Sequence, residues 1–306
     1  MTEAEITSVM KRCTLCPREC GADRSKGHGF CGEGSTVRIA RAALHMWEEP
    51  CISGKRGSGT VFFSGCTLRC VFCQNYEISH EGKGFAVTER QLAECFLRLK
   101  EQGAHNINLV NPTHFVPQIL SALDIAGDMG IPVVYNSGGY EKPETLDMLR
   151  GKVSVFLPDL KYFDSTLSKK YSSAADYYER AFSAIEKMYE LAGRPVFGAD
   201  GIMQSGVIVR HLILPNCRRD SIALMERLAE RFAPEDIMVS LMCQYTPVYR
   251  AKEFHELSRR VSAFEYKTVA EVLERTGFDG FVQERGSAEE EYIPEFYDTP
   301  PKGLFE

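Results

Sequence analysis

The sequence reads as an α/β chain: a partial or near-complete (β/α) barrel with a small amino-terminal cysteine-rich metal-binding segment. Three observations predict it. From residue 59 onward, continuous apolar and β-branched runs alternate with helical patterns, which is how a parallel sheet covered by helices looks in sequence. The side chains least at home in a core fall directly after those runs, as they do at the carboxyl ends of barrel strands. The cysteines gather into two tight sets, and the first lies ahead of the alternating region. The expected organisation is a Cys-rich segment over residues 1–50, a barrel over 51–285 and a carboxyl-terminal extension over 286–306.

The elements follow in order. Gly59–Gly65 (GTVFFSG) is a short buried strand bounded by glycines, and a cysteine loop begins at once. A helix over about Glu89–Gln102 leads to the strand Ile107–Pro112, and the helical pattern that begins at Phe115 ends at Gly130. IPVVYNSGG is the next strand. PETLDMLRG is a short helix with proline in its first turn. VSVFLPDLK is a buried strand, followed by a helix over about Ala174–Ala192 with Ala181, Ile185, Met188 and Tyr189 at helical spacing. GVIVRHLILP, DIMVSLMCQYTP and GFVQ are the last strands, separated by helices at Ser221–Arg231 and Thr268–Thr276. An open doubly wound sheet fits this alternation as well as a barrel does. The placement of the unusual residues tilts the reading to the barrel: Asn111–His114, Asn136–Tyr140, Asp159 with Lys161, Pro215–Asn216 and Gln244–Pro247 each follow a strand. The acidic, proline-containing tail holds Tyr292, Ile293, Phe296 and Tyr297, which favour an extension docked at the barrel mouth.

Composition narrows the class. The chain has 306 residues, 44% of them hydrophobic and 25% charged, with a formal net charge of −6. That balance argues against a general nucleic-acid binder. No stretch approaches about 18 uninterrupted apolar residues, so no membrane span is expected. The start, MTEAEITSVMKRC, lacks the apolar region of a secretory signal. Eleven cysteines, an odd number in metal-like clusters, fit a reducing cytoplasm better than a disulfide framework. Cys95 reads as a buried residue on the inner face of a helix, and Cys51 and Cys217 as loop residues.

The run GCTLRCVFCQN places Cys66, Cys70 and Cys73 at C-x3-C-x2-C. Three thiolates this close can hold three corners of a [4Fe–4S] cluster and leave one iron without a protein ligand. A structural zinc knuckle would want a fourth ligand, and none lies nearby in sequence. Ahead of them, Cys13, Cys16, Cys20 and Cys31 form C-x2-C-x3-C-x10-C. Four thiolates can close a complete shell, the donor set of a structural site. Residues Met1 to about Thr36 are too few and too polar to bury a core, so a metal would supply folding energy. Zinc is favoured there; a single iron or an auxiliary iron–sulfur cluster fits the ligand count too. His28 lies inside this loop and reads as solvated.

On these motifs the chain resembles the radical S-adenosylmethionine (radical SAM) proteins, in the group related to the pyruvate formate-lyase activating enzyme. The runs that carry the resemblance are the cysteine loop, the amino-terminal CTLCPREC, NPTH, YNSGGY, PDLKY and RHLILP, so it extends from about Cys13 to Gln244. The resemblance implies a cluster at Cys66, Cys70 and Cys73 whose open iron chelates S-adenosylmethionine, with Phe72 near the adenine. It implies reductive cleavage to a 5′-deoxyadenosyl radical that abstracts hydrogen from a substrate. Where activating enzymes carry Gly-Gly-Glu for the amino group of S-adenosylmethionine, this chain has Asn111-Pro112-Thr113 followed by His114, and the carboxylate is missing. Asp159 and Lys161 match the Asp-x-Lys that serves near S-adenosylmethionine and the substrate peptide. Arg210 takes a place where a basic residue meets the carboxylate or ribose. Asn136 and Ser137 complete the candidate cofactor-binding set, and His211, alternating with Arg210, is expected on the opposite face. A flavodoxin or ferredoxin is the implied electron donor, and a protein or peptide the implied substrate. A small-molecule substrate, or a non-catalytic iron–sulfur or zinc sensor or scaffold, are the alternatives.

Overall fold

The computed structural model describes residues 3–282, 294–301 and 304–305. Its strands are β1 (Val37–His45), β2 (Ser58–Phe63), β3 (Phe85–Val87), β4 (Ile107–Val110), β5 (Val133–Ser137), β6 (Val155–Pro158), β7 (Val196–Phe197), β8 (Met203–Leu212), β9 (Met238–Met242) and β10 (Gly280–Val282). Its α-helices are α1 (Glu3–Lys11), α2 (Pro50–Ser53), α3 (Tyr76–Ser79), α4 (Glu89–Glu101), α5 (Val116–Ala126), α6 (Pro143–Asp147), α7 (Ser165–Ser172), α8 (Tyr177–Ala192), α9 (Arg218–Arg231) and α10 (Ala263–Thr276).

One mixed sheet runs in the order β10-β9-β8-β6-β5-β4-β2-β1-β3, with β7 attached to β8 as an antiparallel ribbon. The seven strands from β2 to β10 along this path are parallel, and they are the seven that the apolar runs predict. β1 is antiparallel to β2 and β3 is antiparallel to β1. Among the described residues no pairing closes β10 onto β3, so the sheet is a partial barrel. The sequence reading left Val37–His45 inside the Cys-rich segment; the structure makes it a full sheet strand. The alternation of Val37, Ile39 and their neighbours was the available signal, and the neighbouring cysteines drew the reading away from it.

The two sheet faces differ. Val61, Leu109, Tyr135, Phe156, Val209 and Val239 pack with helix residues such as Phe96, Ile119, Ile185 and Leu224, forming the main core. On the other face Val134, Val155, Leu157, Ile208 and Met238 close on Cys51 and Ile52 of α2, which plugs the concave side. Helix starts are chemically marked: Thr88 with Gln91, and Ser262 with Glu265, form capping boxes on α4 and α10, and Asp164 caps α7. In the amino-terminal segment, Ile6 and Met10 of α1 pack on Cys13 and Leu15. In the extension, Phe296 is buried against Phe62 with rings 5.4 Å apart, and the Tyr297 amide donates to Ala40. Tyr292 and Ile293 lie outside the described residues.

Candidate active site

The cysteine loop leaves β2 at Gly65, whose φ of +79° is a glycine conformation. All three cysteine sulfurs accept a hydrogen bond. The Leu68 amide donates to Cys66 Sγ at 3.4 Å, Ser172 Oγ to Cys70 Sγ at 2.9 Å and Ser79 Oγ to Cys73 Sγ at 3.2 Å. Burial pushes the Cys70 thiol up, and it pushes Cys73 to about 12 with help from the neighbouring Cys70 and Cys66. Such thiols become thiolates when a cation is bound among them. Three neighbouring thiols, each with a donor to its sulfur, offer the donor chemistry an iron–sulfur cluster takes. Among the described residues, no group of three or more His, Cys, Asp or Glu side chains stands close enough as placed to hold a metal ion, the two cysteine sets included.

Beside this loop the carboxyl ends of β5, β6 and β8 bring their polar residues together. Lys161 Nζ lies 2.5 Å from Asp159 Oδ2, and Arg210 reaches Asp159 Oδ1 through Nε at 3.0 Å and Nη2 at 2.9 Å. Arg210 Nη2 also donates to Asn136 Oδ1 at 2.6 Å, and its Nη1 lies 3.4 Å from Glu48 Oε2. Asn136 Nδ2 returns a bond to Glu48 at 3.3 Å. Burial pushes the Asp159 carboxyl up, but Arg210 and Lys161 more than offset it and hold it below the ordinary range. Burial and Asp159 pull Lys161 in opposite directions, and the carboxylate wins. Glu48 and Glu49 are driven upward by burial against the pull of Arg210. The pair enters from the turn between β1 and α2, and sequence reasoning missed it. Nothing local in MWEEP reveals that this turn rises into the concave face.

The remaining candidates divide by direction. Asn111 has a left-handed φ of +59° and donates its side-chain amide to the Gly65 carbonyl, tying β4 to the cysteine loop. Thr113 Oγ1 donates to Glu141 Oε1 at 2.7 Å, and Tyr135 OH to Glu141 Oε2 at 3.1 Å. Burial lifts Glu141 to about 7 despite these donors. Ser137 Oγ accepts the Gly139 amide at 3.2 Å and so shapes the turn after β5. His114 is buried, pairs its Nε2 with the Ser64 carbonyl at 2.6 Å, and is pushed down to about 3 by burial and by Arg24. It stands behind the cysteine loop as a neutral ring. Phe72 is buried edge-on to Tyr245 and Tyr162, with centroids 5.9 and 6.5 Å away. His211 bonds Leu160 O at 2.6 Å and Ser221 Oγ at 2.8 Å, on the face opposite Arg210.

The amino-terminal cysteines lie against this site. Cys13, Cys16 and Cys31 are buried and Cys20 is exposed. A Cβ placed on Gly29 would touch Cys31 Sγ at 3.4 Å and Cys20 Sγ at 3.5 Å. Burial pushes Cys16 to about 12, with Cys13 and Cys31 adding to it. The Arg24 guanidinium, 1% exposed, lies 3.7 Å from Cys13 Sγ and donates to the carbonyls of Glu33, Gly34 and His114. The segment is stitched to the loops around the site: Cys66 N to Cys31 O at 3.0 Å, Arg18 Nε to Thr67 O at 2.8 Å and Thr145 Oγ1 to Leu15 O at 2.8 Å. A cavity of about 300 Å³ opens along this seam, lined in part by Cys31, Glu33, Arg38, Gly65, Arg69 and His80.

Residues 60–203 match the model of the Radical SAM superfamily. The matched stretch is a radical SAM domain. Its match spans the cysteine loop and the strands that carry Asn111, Asn136, Asp159 and Lys161. The enzyme is 29% identical over 284 residues to "Uncharacterized protein MJ0674" of Methanocaldococcus jannaschii, an alignment covering 89% of this chain and 77% of that one. Its fold is similar to that of methylornithine synthase (PylB), with a TM-score of 0.50 at 13% identity, covering 92% of this chain and 71% of that chain. The structure of Streptococcus suis SuiB bound to precursor peptide SuiA superposes with a TM-score of 0.47 at 13% identity, covering 73% of this chain. The enzyme spans about half of SuiB, 48% of that chain. Among the described residues, no helix is long and apolar enough to cross a membrane.

Proposed function

We propose that Cys66, Cys70 and Cys73 hold a [4Fe–4S] cluster and that the enzyme uses it on S-adenosylmethionine to abstract hydrogen from a protein or peptide. The observation that carries this reading is the loop itself: three cysteines after the carboxyl end of β2, a hydrogen-bond donor on each sulfur and, among the described residues, no fourth metal-ligating side chain grouped with them. Cys66, Cys70 and Cys73 would hold the cluster, which would supply one-electron reduction of a bound sulfonium and so the means of hydrogen abstraction.

The chain's own groups have separable tasks. Asn111 and Thr113 stand in for the missing carboxylate: Asn111 holds the loop at Gly65, and Thr113 relays to Glu141, which can keep its proton near neutrality. Asp159 positions Lys161 and Arg210 as fixed cations at the mouth, where a carboxylate or phosphate-free ribose edge can be received. Asn136 orients Arg210 from the other side. Phe72 offers an aromatic edge beside Tyr245 for the adenine. Binding, orientation and water exclusion are the work of these residues. The open sheet supports a polypeptide substrate, because a partial barrel leaves a lateral entrance that a closed one lacks.

The amino-terminal cysteines are proposed as a second metal site, with zinc favoured. Support comes from Arg24: a fully buried guanidinium beside Cys13 fits a tetrathiolate centre of net negative charge. A flavodoxin or ferredoxin is the proposed electron source.

The test uses anaerobically reconstituted full-length protein. Reduced protein plus S-adenosylmethionine should change the electron paramagnetic resonance (EPR) signal of a [4Fe–4S]⁺ cluster and release 5′-deoxyadenosine, and Cys70→Ala should do neither. An intact cluster blind to S-adenosylmethionine would sink the proposal.

A further inference from the structure

The donors on the cysteine sulfurs come from different places, and one is wired to the amino-terminal segment. Ser79 Oγ reaches Cys73 from the end of α3, six residues away in sequence. Ser172 Oγ reaches Cys70 from the end of α7, across 102 residues. Ser172 has one proton, and at 2.9 Å it goes to Cys70 Sγ. Tyr162 OH, 2.7 Å from Ser172 Oγ, therefore donates to Ser172, giving a directed chain Tyr162 → Ser172 → Cys70. Ser172 is fully buried, so no water competes for that proton.

What holds Ser172 in place is Arg18. Its guanidinium donates to Ser172 O at 3.0 Å, to the Ser173 carbonyl and to Thr67 O at 2.8 Å. Ser173 closes α7 with a left-handed φ of +53°, a conformation that a serine keeps only when its surroundings fix it. Arg18 satisfies the last carbonyls of α7 and the cysteine loop with one planar group, which lies 4.2 Å from the Phe30 ring centroid. Arg18 sits between Cys16 and Cys20, so its position is set by the amino-terminal cysteine segment.

We infer that this segment tunes the reduction potential of the proposed cluster, with Arg18 as a positioning residue that keeps Ser172 donating to Cys70. A hydrogen bond to a ligating sulfur withdraws electron density and stabilises the reduced cluster, which carries one more negative charge. Each donor therefore makes the cluster easier to reduce by an external one-electron donor. The inference rests on the assignment of a [4Fe–4S] cluster to Cys66, Cys70 and Cys73.

The experiment is a potentiometric titration of the reconstituted full chain without S-adenosylmethionine, following the EPR amplitude of the reduced cluster, with iron and sulfide content measured for every variant. In Ser172→Ala the ratio of reduced to oxidised cluster at a fixed potential should fall about tenfold, which is 59 mV for a one-electron couple. Arg18→Gln should move the midpoint the same way by a smaller amount. Adding Arg18→Gln to Ser172→Ala should bring no further shift, whereas adding it to Ser79→Ala should give additive shifts. An unchanged midpoint in Ser172→Ala at full iron content overturns the inference. So does an unchanged midpoint in Arg18→Gln, which decides the matter alone if Ser172→Ala fails to assemble a cluster. A parent protein that takes up no iron and sulfide overturns the cluster assignment itself, and the metal content makes that outcome distinct.

Discussion

The two cysteine sets share a residue type and differ in the groups that surround it. At Cys66, Cys70 and Cys73 the neighbours are hydrogen-bond donors to sulfur and, beyond them, the Asp159–Lys161–Arg210 network at the strand ends. At Cys13, Cys16, Cys20 and Cys31 the neighbours are a buried arginine and backbone bonds to adjoining loops. The first environment is arranged to bias electrons and charge. The second is arranged to hold loops in register. What approaches the sulfur thus differs between sets of the same residue: hydroxyl and amide donors at the first, a guanidinium at the second.

Single substitutions should break the comparison most cleanly at the sulfurs. Cys70→Ala should abolish 5′-deoxyadenosine formation while changing the melting temperature little. Cys13→Ala should lower the melting temperature, by about 2–4 °C for each kcal/mol lost, together with zinc or iron content. Differential scanning calorimetry with metal determination reads both. Equal thermal losses in the two variants would erase the distinction drawn here.

Asp159→Asn sharpens the electrostatic half. Asp159 faces two cations, and its loss leaves Lys161 without its ion-pair partner in a largely buried place. Breaking such a pair from one side costs about 3 kcal/mol. Denaturant titration should show that loss, and S-adenosylmethionine binding measured by calorimetry should weaken. A variant as stable as the parent would mean that Arg210 and Glu48 carry the network without Asp159.

Glu141 lies between the two environments, bonded to Thr113 and electrostatically felt by Cys16. Its carboxyl is raised from 4.5 to about 7 chiefly by burial. An acid raised in the folded state binds its proton more tightly there than in the unfolded chain. Its contribution to stability is therefore greatest at or below pH 4.5 and is lost progressively as pH rises to about 7, beyond which the loss is complete. The size is on the order of 3 kcal/mol. Glu141→Gln should flatten the stability profile between those pH values in urea titrations. A parent profile already flat there would show that Glu141 ionises normally.

How much of this was legible depends on distance along the chain. The seven parallel strands were readable because each is a local apolar run. Cys66, Cys70 and Cys73 were readable because a spacing pattern is local too. Asp159 and Lys161 were legible as strand-end residues and Arg210 as a strand residue, but not as one network, since the Asp159–Arg210 bridge forms only when β6 and β8 pair. Ser172, Ser79, Arg18 and Glu48 carried no signal. Serine in a helix turn and arginine after proline are ordinary, and only the fold puts the serines against sulfur, Arg18 against backbone carbonyls and Glu48 against Arg210. Val37–His45 was a legible strand passed over, because the cysteines beside it suggested a segment too small to join the sheet, and the helices Glu3–Lys11 and Ser165–Ser172 were passed over too.

The smallest effect should come from Gly65→Ala, which acts where the two sets meet. Gly65 joins β2 to the cysteine loop, and its left-handed φ of +79° disfavours any side chain. A methyl group there would also collide with Glu33 Cγ and come within 2.8 Å of the Cys31 carbonyl oxygen. That oxygen accepts the Cys66 amide at 3.0 Å, so relief of the clash must lengthen the one backbone bond between the two cysteine sets. Backbone strain of this kind costs about 1–3 kcal/mol. If the amino-terminal segment only braces the loop, Gly65→Ala should lose that stability and leave the cluster midpoint where it is. If the segment also feeds the electronics through the seam as well as through Arg18, the midpoint should move with the stability. Measuring both on the same sample separates mechanical support from electronic tuning.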